Sequence, residues 1–247
     1  MPESENTTNP ASPYRLRYMD DRAKLASYFM IVGATAPAMA NVSELISKGR
    51  LPSNIVDIFS DTDRMWRKFI TDMSPSDFFG ISTELYLCRS IEIFNKYLTD
   101  MLRATFMQRA EILKSSETVK ISDLLKWGER DDIVSRLAER KVDSLSYQSF
   151  GDLIEYLRGT LGLPIPLDDV DISRAREGME VRNISVHNAL VVNSLFVKRT
   201  GRTDLVEGKV FPLTLDYVLA LTKTMATFVS RLDAAFIQHF DLKFENY

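Results

Sequence analysis

The feature that most constrains this chain is the spacing of apolar residues between Ser82 and Leu113. Leu87, Ile91, Phe94, Leu98 and Met101 follow one another at intervals of 4, 3, 4 and 3. That period places all five on one face of a long helix, and no β-strand produces it. The same pattern recurs along the chain. Tyr14 to Val32 reads as a helix with Tyr18, Leu25 and Phe29 inward, and Pro37 should break it or start a new one. A further helix is expected from Ser53, a good N-cap, through Ile55, Phe59, Trp66 and Phe69, with "TDMSPSDFFG" as a connection. "ISDLLKWGERDDIVSRLAERKVDSL" gives two short helices, with Gly128 as the stop between them. Phe150, Leu153, Ile154 and Leu157 line another, ended by "GLPIP". A helix follows from Asp171, then the polar stretch "KRTGRTDLVEGKVFPLT" as a loop or short hairpin. Thr214 starts a last helix with Leu215, Val218, Leu219, Thr222, Met225 and Val229 inward, reaching about Phe240. Alternation of period two is confined to "GKVFPL". The expected fold is all-α: a disordered tail over 1–13, a helical extension over 14–79 and a helical bundle over 80–247.

Composition removes several functional classes. With 247 residues the chain is long enough for a substantial core. Its net charge of −3 argues against coating nucleic acid through bulk charge, so any such contact must be local. The single cysteine, Cys88, rules out an internal disulfide framework and a cysteine-rich zinc site. No apolar run is long enough to span a membrane, because Gly33 and Pro37 interrupt the nearest candidate over 28–42. The polar, acidic N-terminus is unlike a signal peptide, so a cytoplasmic protein is expected. No glycine-rich phosphate loop or nucleophile elbow occurs. The acidic cluster "LDDVD" over 167–171 offers oxygen ligands for Mg²⁺, but aspartates there also cap the helix that follows, which is the expected role. No metal or cofactor is expected.

One stretch stands out chemically. In "MEVRNISVHNALVVN", over 179–193, Arg182 falls between Met179 and Val186 on the apolar stripe, and His187, one of two histidines, follows five residues later. Five positions on a straight helix are about 140° apart, so Arg182 and His187 do not converge on one atom unless the helix distorts or a second chain supplies the partner. Asn183 and His187, at i and i+4, share a face. The competing structural explanation pairs Arg182 with a buried carboxylate, Glu84 being a candidate, and leaves His187 as a helix-end charge.

"RNISVHNALVVNSLF" resembles the signature of the HEPN superfamily of all-α proteins: an arginine, a polar residue, a few further positions, then a histidine. Arg182, Asn183 and His187 match it residue by residue. The architectural likeness extends over about 80–245, and the first 80 residues match nothing in the family. The resemblance implies a metal-independent endoribonuclease, acting as a homodimer with a composite site, in a toxin–antitoxin or other defence setting, with an antitoxin or regulator as partner. It implies that His187 takes the proton of an RNA 2′-hydroxyl, that Arg182 steadies the phosphoryl oxygens and that Asn183 fixes the imidazole or the phosphate. Asn188, Lys198 and Arg199 are the expected RNA-binding residues, with Arg202 in the same basic cluster. Family toxins silenced by adenylylation carry a tyrosine two positions after the histidine, where this chain has Ala189. The alternative is a catalytically silent module of the same family that binds RNA, a nucleotide or a protein partner.

Overall fold

The computed structural model describes residues 11–48, 50, 74–113, 119–120, 122, 129–165 and 168–244. Among them are seven α-helices and no strand: α1 (Pro13–Ser47), α2 (Pro75–Gln108), α3 (Arg130–Ser146), α4 (Phe150–Glu155), α5 (Asp169–Asn188), α6 (Ser194–Thr200) and α7 (Leu215–Phe240). A short 3₁₀ turn over Ala110–Leu113 follows α2, and a π turn over Tyr156–Thr160 extends α4. The expected helices beginning at Ser53 and at Ile121 lie outside the described residues.

α2 is the axis of the bundle. All five periodic residues that predict it are buried. It starts earlier than expected because "SPSD" is a start signal, not a connection. Ser74 accepts from the Asp77 amide, the Asp77 carboxylate accepts from the Ser74 amide, and Pro75 occupies the first turn, where its missing N–H costs nothing. α1 lies antiparallel along α2, with Tyr18 on Tyr97 (ring centroids 6.0 Å apart) and Phe29 on Tyr86 (4.7 Å). It continues through Pro37, against expectation. The sacrifice there is one backbone hydrogen bond to Gly33, a local cost that a long helix survives. The tail is docked closer to the terminus than expected. Ser12 is buried, and both its amide and its hydroxyl donate to the Asp233 carboxylate of α7, which also accepts from the Tyr97 hydroxyl at 3.3 Å.

Phe94 of α2, Phe150 of α4 and Phe228 of α7 meet with centroids 5.5 to 6.2 Å apart and form the centre of the core. α7 begins as expected, its Thr214 side chain accepting from the Tyr217 amide. Leu219 is exposed, however, and Leu221 takes the inner position. α5 crosses α7 at Gly178, where a Cβ would stand 2.5 Å from a Leu221 methyl. The acidic cluster caps α5: the Asp168 side chain accepts from the Asp171 amide at 2.7 Å. Among the described residues no three His, Cys, Asp or Glu side chains are grouped to hold a metal ion, and no helix is long and apolar enough to cross a membrane. The stretch expected as a loop begins instead with α6, capped by Asn193. Past α6 the chain returns to make one antiparallel bridge, Val191 to Val210.

Candidate functional site

A cleft of about 670 Å³ runs over α2, between α5 on one side and the turn joining α3 to α4 on the other. Arg182, Asn183 and His187 all line it, with Glu180 and Arg199 beside them and Asn95 and Lys96 of α2 below. The 140° between Arg182 and His187 therefore does not separate them. The cleft is broad enough for one chain to bring both side chains into it.

α5 positions these groups through an uneven burial pattern. Glu180 and Ser185 are buried while Val186 is 52% exposed, the reverse of what a simple apolar stripe requires. The inner surface of α5 carries Met179, Val181 and Ile184, and Arg182 is half-buried at its edge. Its Nε is shielded from solvent and has no hydrogen-bond partner among the described residues. The carboxylate proposed for it is engaged elsewhere: Glu84 accepts a hydrogen bond from Ser185 Oγ at 2.5 Å. Unsatisfied buried donors are uncommon in folded proteins; the Nε atoms of Arg22 and Arg176 share this state, so what sets Arg182 apart is its place on the cleft wall.

The other cations of the cleft are paired. Lys96 Nζ lies 2.5 Å from the buried Asp100 carboxylate. Arg199 Nη1 lies 3.3 Å from Glu180. Arg182 is thus the cleft cation without a carboxylate partner among the described residues. Asn183 turns toward the same glutamate, its Nδ2 at 3.5 Å from Oε2, the outer limit of a hydrogen bond. No hydrogen bond joins it to the imidazole.

His187 is exposed in the last turn of α5. Immediately beyond it the chain reverses through two non-glycine residues in the left-handed region, Ala189 at φ 48° and Leu190 at φ 62°. Such a conformation costs about 1–3 kcal/mol per residue and is retained where its surroundings enforce it. Here the Leu190 amide donates to the Ile184 carbonyl at 2.9 Å, Phe211 N donates to Leu190 O at 2.8 Å, and Asn188 Nδ2 donates to Val191 O at 2.6 Å. Asn188, expected to touch RNA, is therefore a turn residue and does not line the cleft. Lys198 is exposed on α6 and also outside the lining. Arg202 is held between Asp204 (2.7 Å) and Glu177 (2.8 Å), which raise its pKa still further above the usual arginine value. Of the expected basic cluster, only Arg199 reaches the cleft. His239 is remote from the motif: its Nε2 is 3.1 Å from the Leu161 carbonyl.

Sequence reasoning missed Glu180, whose signal was a charged residue flanked by Met179 and Val181 and three positions before Asn183. It also missed Asn95, Lys96 and the turn of Tyr147 to Ser149, for which no local pattern says which polar surface of α2 faces α5. No family model, curated protein or solved structure matches the chain.

Proposed function

We propose that the chain is a metal-independent endoribonuclease of the HEPN type, built on a HEPN-like bundle. The observation that carries this reading is a cleft lined by an exposed histidine and by an arginine that has no carboxylate partner among the described residues. Those two groups suit RNA cleavage by internal attack. A neutral imidazole has the basicity to accept a proton near pH 7. A guanidinium supplies directed donors to the phosphoryl oxygens as their charge grows. In this scheme His187 takes the proton of a ribose 2′-hydroxyl. The 2′-oxygen bonds to the adjacent phosphorus, the bond from phosphorus to the 5′-oxygen breaks, and the departing oxygen accepts a proton. The products are a 2′,3′-cyclic phosphate and a 5′-hydroxyl. Arg182 binds the phosphoryl oxygens, and Asn183 holds Glu180 or the phosphate.

The cleft contains one histidine, and in-line cleavage benefits from a base and an acid on opposite sides of phosphorus. A homodimer in which His187 of the partner subunit supplies the acid is part of the proposal, as is a defence setting with a regulator that restrains the activity. Ala189 stands where adenylylated relatives carry tyrosine, so that form of silencing is not proposed.

A second reading, a silent module that binds RNA, a nucleotide or a protein, draws on one observation. Glu180 and Glu92 place carboxylates along the cleft, where they repel a polyanion. Incubating the chain with RNA and analysing the ends separates the two. The catalytic reading expects cyclic phosphate ends, activity that persists in EDTA, and no cleavage where the scissile ribose is 2′-deoxy. RNA that is bound but left intact would favour the silent module. Mixing His187→Ala with Arg182→Ala chains tests how the site is shared: partial recovery means that the arginine and the base come from different copies, whereas both acting within one chain restores nothing. A chain that cleaves RNA as a monomer in sedimentation would remove the partner's histidine from the scheme.

A further inference from the structure

We infer that the turn between α3 and α4 is a nucleobase subsite, and that the RNA this cleft takes is single-stranded at that point. The inference rests on the reading of the cleft as an RNA site. Tyr147 ends α3 on the cleft wall facing α5, and 92% of it is exposed, an unusual setting for a ring of that size. Its side chain takes part in no ring contact or hydrogen bond among the described residues, while its backbone N–H donates to Leu145 O.

The turn is nevertheless firmly held. Leu145 and Phe150, on either side, are buried in the core. Gln148 N donates to Leu145 O at 3.2 Å, and Ser149 and Asp152 close a reciprocal cap on α4. Tyr147 is therefore offered on a fixed frame, so a base that stacks on it has little ordering cost to meet. The side-chain amides of Gln148 on the same turn and Asn95 on α2 line the cleft beside it. Each carries donors and an acceptor, the complement of an exposed base edge.

Charge supports the same conclusion. Phosphate contacts usually supply much of the affinity for nucleic acid. In this cleft Lys96 and Arg199 already have carboxylate partners, leaving Arg182 alone, and the chain as a whole is acidic. One free guanidinium positions a phosphate but holds a polyanion weakly. The remaining affinity must come from bases, and a duplex keeps its bases stacked inside, whereas single strands present them to aromatic side chains.

The test uses the full chain carrying His187→Ala, so that bound RNA survives, and a short fluorescent single-stranded RNA followed by anisotropy. Adding Tyr147→Ala should weaken binding on the order of tenfold, and Tyr147→Trp should restore it. Removing one base at a time from the RNA should cost affinity at one position, and the Tyr147→Ala chain should be indifferent there. The same RNA as a duplex should bind more weakly than the single strand. Equal affinity with and without the tyrosine ring, or equal affinity for single strand and duplex, would overturn the subsite. Cleavage by the unaltered chain is scored separately. Cleavage without Tyr147-dependent binding sinks this inference alone, while Tyr147-dependent binding without cleavage sinks the catalytic reading and leaves the subsite standing.

Discussion

Two hollows of similar size flank α2. One is the cleft of about 670 Å³ beneath α5, and the other a groove of about 590 Å³ between α1 and α2. Glu92 borders both. The cleft gathers Arg182, Asn183, His187, Glu180 and Arg199. The groove is walled by Leu25, Phe29, Phe78 and Leu85, with exposed Tyr28 and Ile81 at its edges. Concavity is therefore a poor guide to chemistry here. What distinguishes the cleft is an exposed imidazole beside a guanidinium that has no carboxylate partner among the described residues. The groove has no imidazole, and its arginine, Arg89, is paired with Glu92 at 3.0 Å; the rest of its wall is mostly hydrocarbon and rings, which exclude water.

The sharpest way to break this comparison is to remove the chemistry from the cleft and leave its shape. His187→Ala should lower RNA cleavage by about 10²–10⁴-fold, the usual loss for a general base. Its melting should stay within about 0.5 kcal/mol of the unaltered chain, because the side chain is exposed. Cleavage at the original rate would remove His187 from the mechanism. Arg182→Ala should cost about 10²–10³-fold. Lysine should rescue it poorly, since a point charge lacks the directed fork of a guanidinium.

Much of the frame behind that comparison was legible in the sequence. The five residues from Leu87 to Met101 specified the central helix because burial on one face imposes its period. Thr214 marked the start of α7 because a hydroxyl before a helix satisfies a free amide. The cleft brings Arg182, Asn183 and His187, singled out by their spacing, together. What escaped were relations between distant segments. Glu180 sits beside Arg199, and Glu84 beside Ser185, through packing that no local period encodes. Asn188 is expected as an RNA contact because "HNALVVN" resembles the family's His-Asn stretch. Its amide is instead spent on the left-handed turn at Ala189 and Leu190, a conformation that their side chains do not advertise. Pro37 misled for a different reason. A rule about one residue was set against a helix of 35 residues, whose remaining hydrogen bonds outweigh one loss.

The seam that supports the groove makes a pH prediction. Burial pushes the Tyr18 hydroxyl from 10.0 up to about 12, and burial also raises that of Tyr97, helped by Asp233. A phenol held protonated in the folded state stabilises it fully below the unfolded pKa near 10. That contribution fades as the pH climbs toward 12, because the unfolded chain gives up its proton first. Denaturation midpoints should therefore fall from about pH 10 upward, by as much as about 3 kcal/mol from Tyr18. Tyr18→Phe should flatten the curve. An unchanged slope would mean the ring is not buried as described.

Below the cleft, Gly178→Ala tests the scaffold without touching the chemistry. The added methyl would meet Leu221 side-chain atoms at 2.5 and 2.6 Å, so α5, α7 or the leucine must move. Overpacking of this kind costs about 1–3 kcal/mol. A chain still folded at the assay temperature should keep its His187 dependence, with only a modest change in rate. A variant as stable as the parent would show that the crossing of α5 over α7 is looser than 2.5 Å implies.

The smallest expected effect is the one that most sharpens the contrast between the hollows. Leu85 is 64% exposed on the groove wall and touches none of the cleft groups. Leu85→Gln keeps a long side chain and good helix propensity while replacing hydrocarbon with an amide. Because most of the side chain already meets water, little apolar burial is lost, and stability should change by no more than about 0.5 kcal/mol. RNA cleavage should match the parent, since no proton or phosphate contact has been altered. Two results would cut against this in different ways. A stability loss well above 1 kcal/mol would mean that something covers Leu85 in solution, so the groove is an interior surface. A fall in cleavage at unchanged stability would mean that the two hollows communicate through α2, and the division of labour drawn between them would fail.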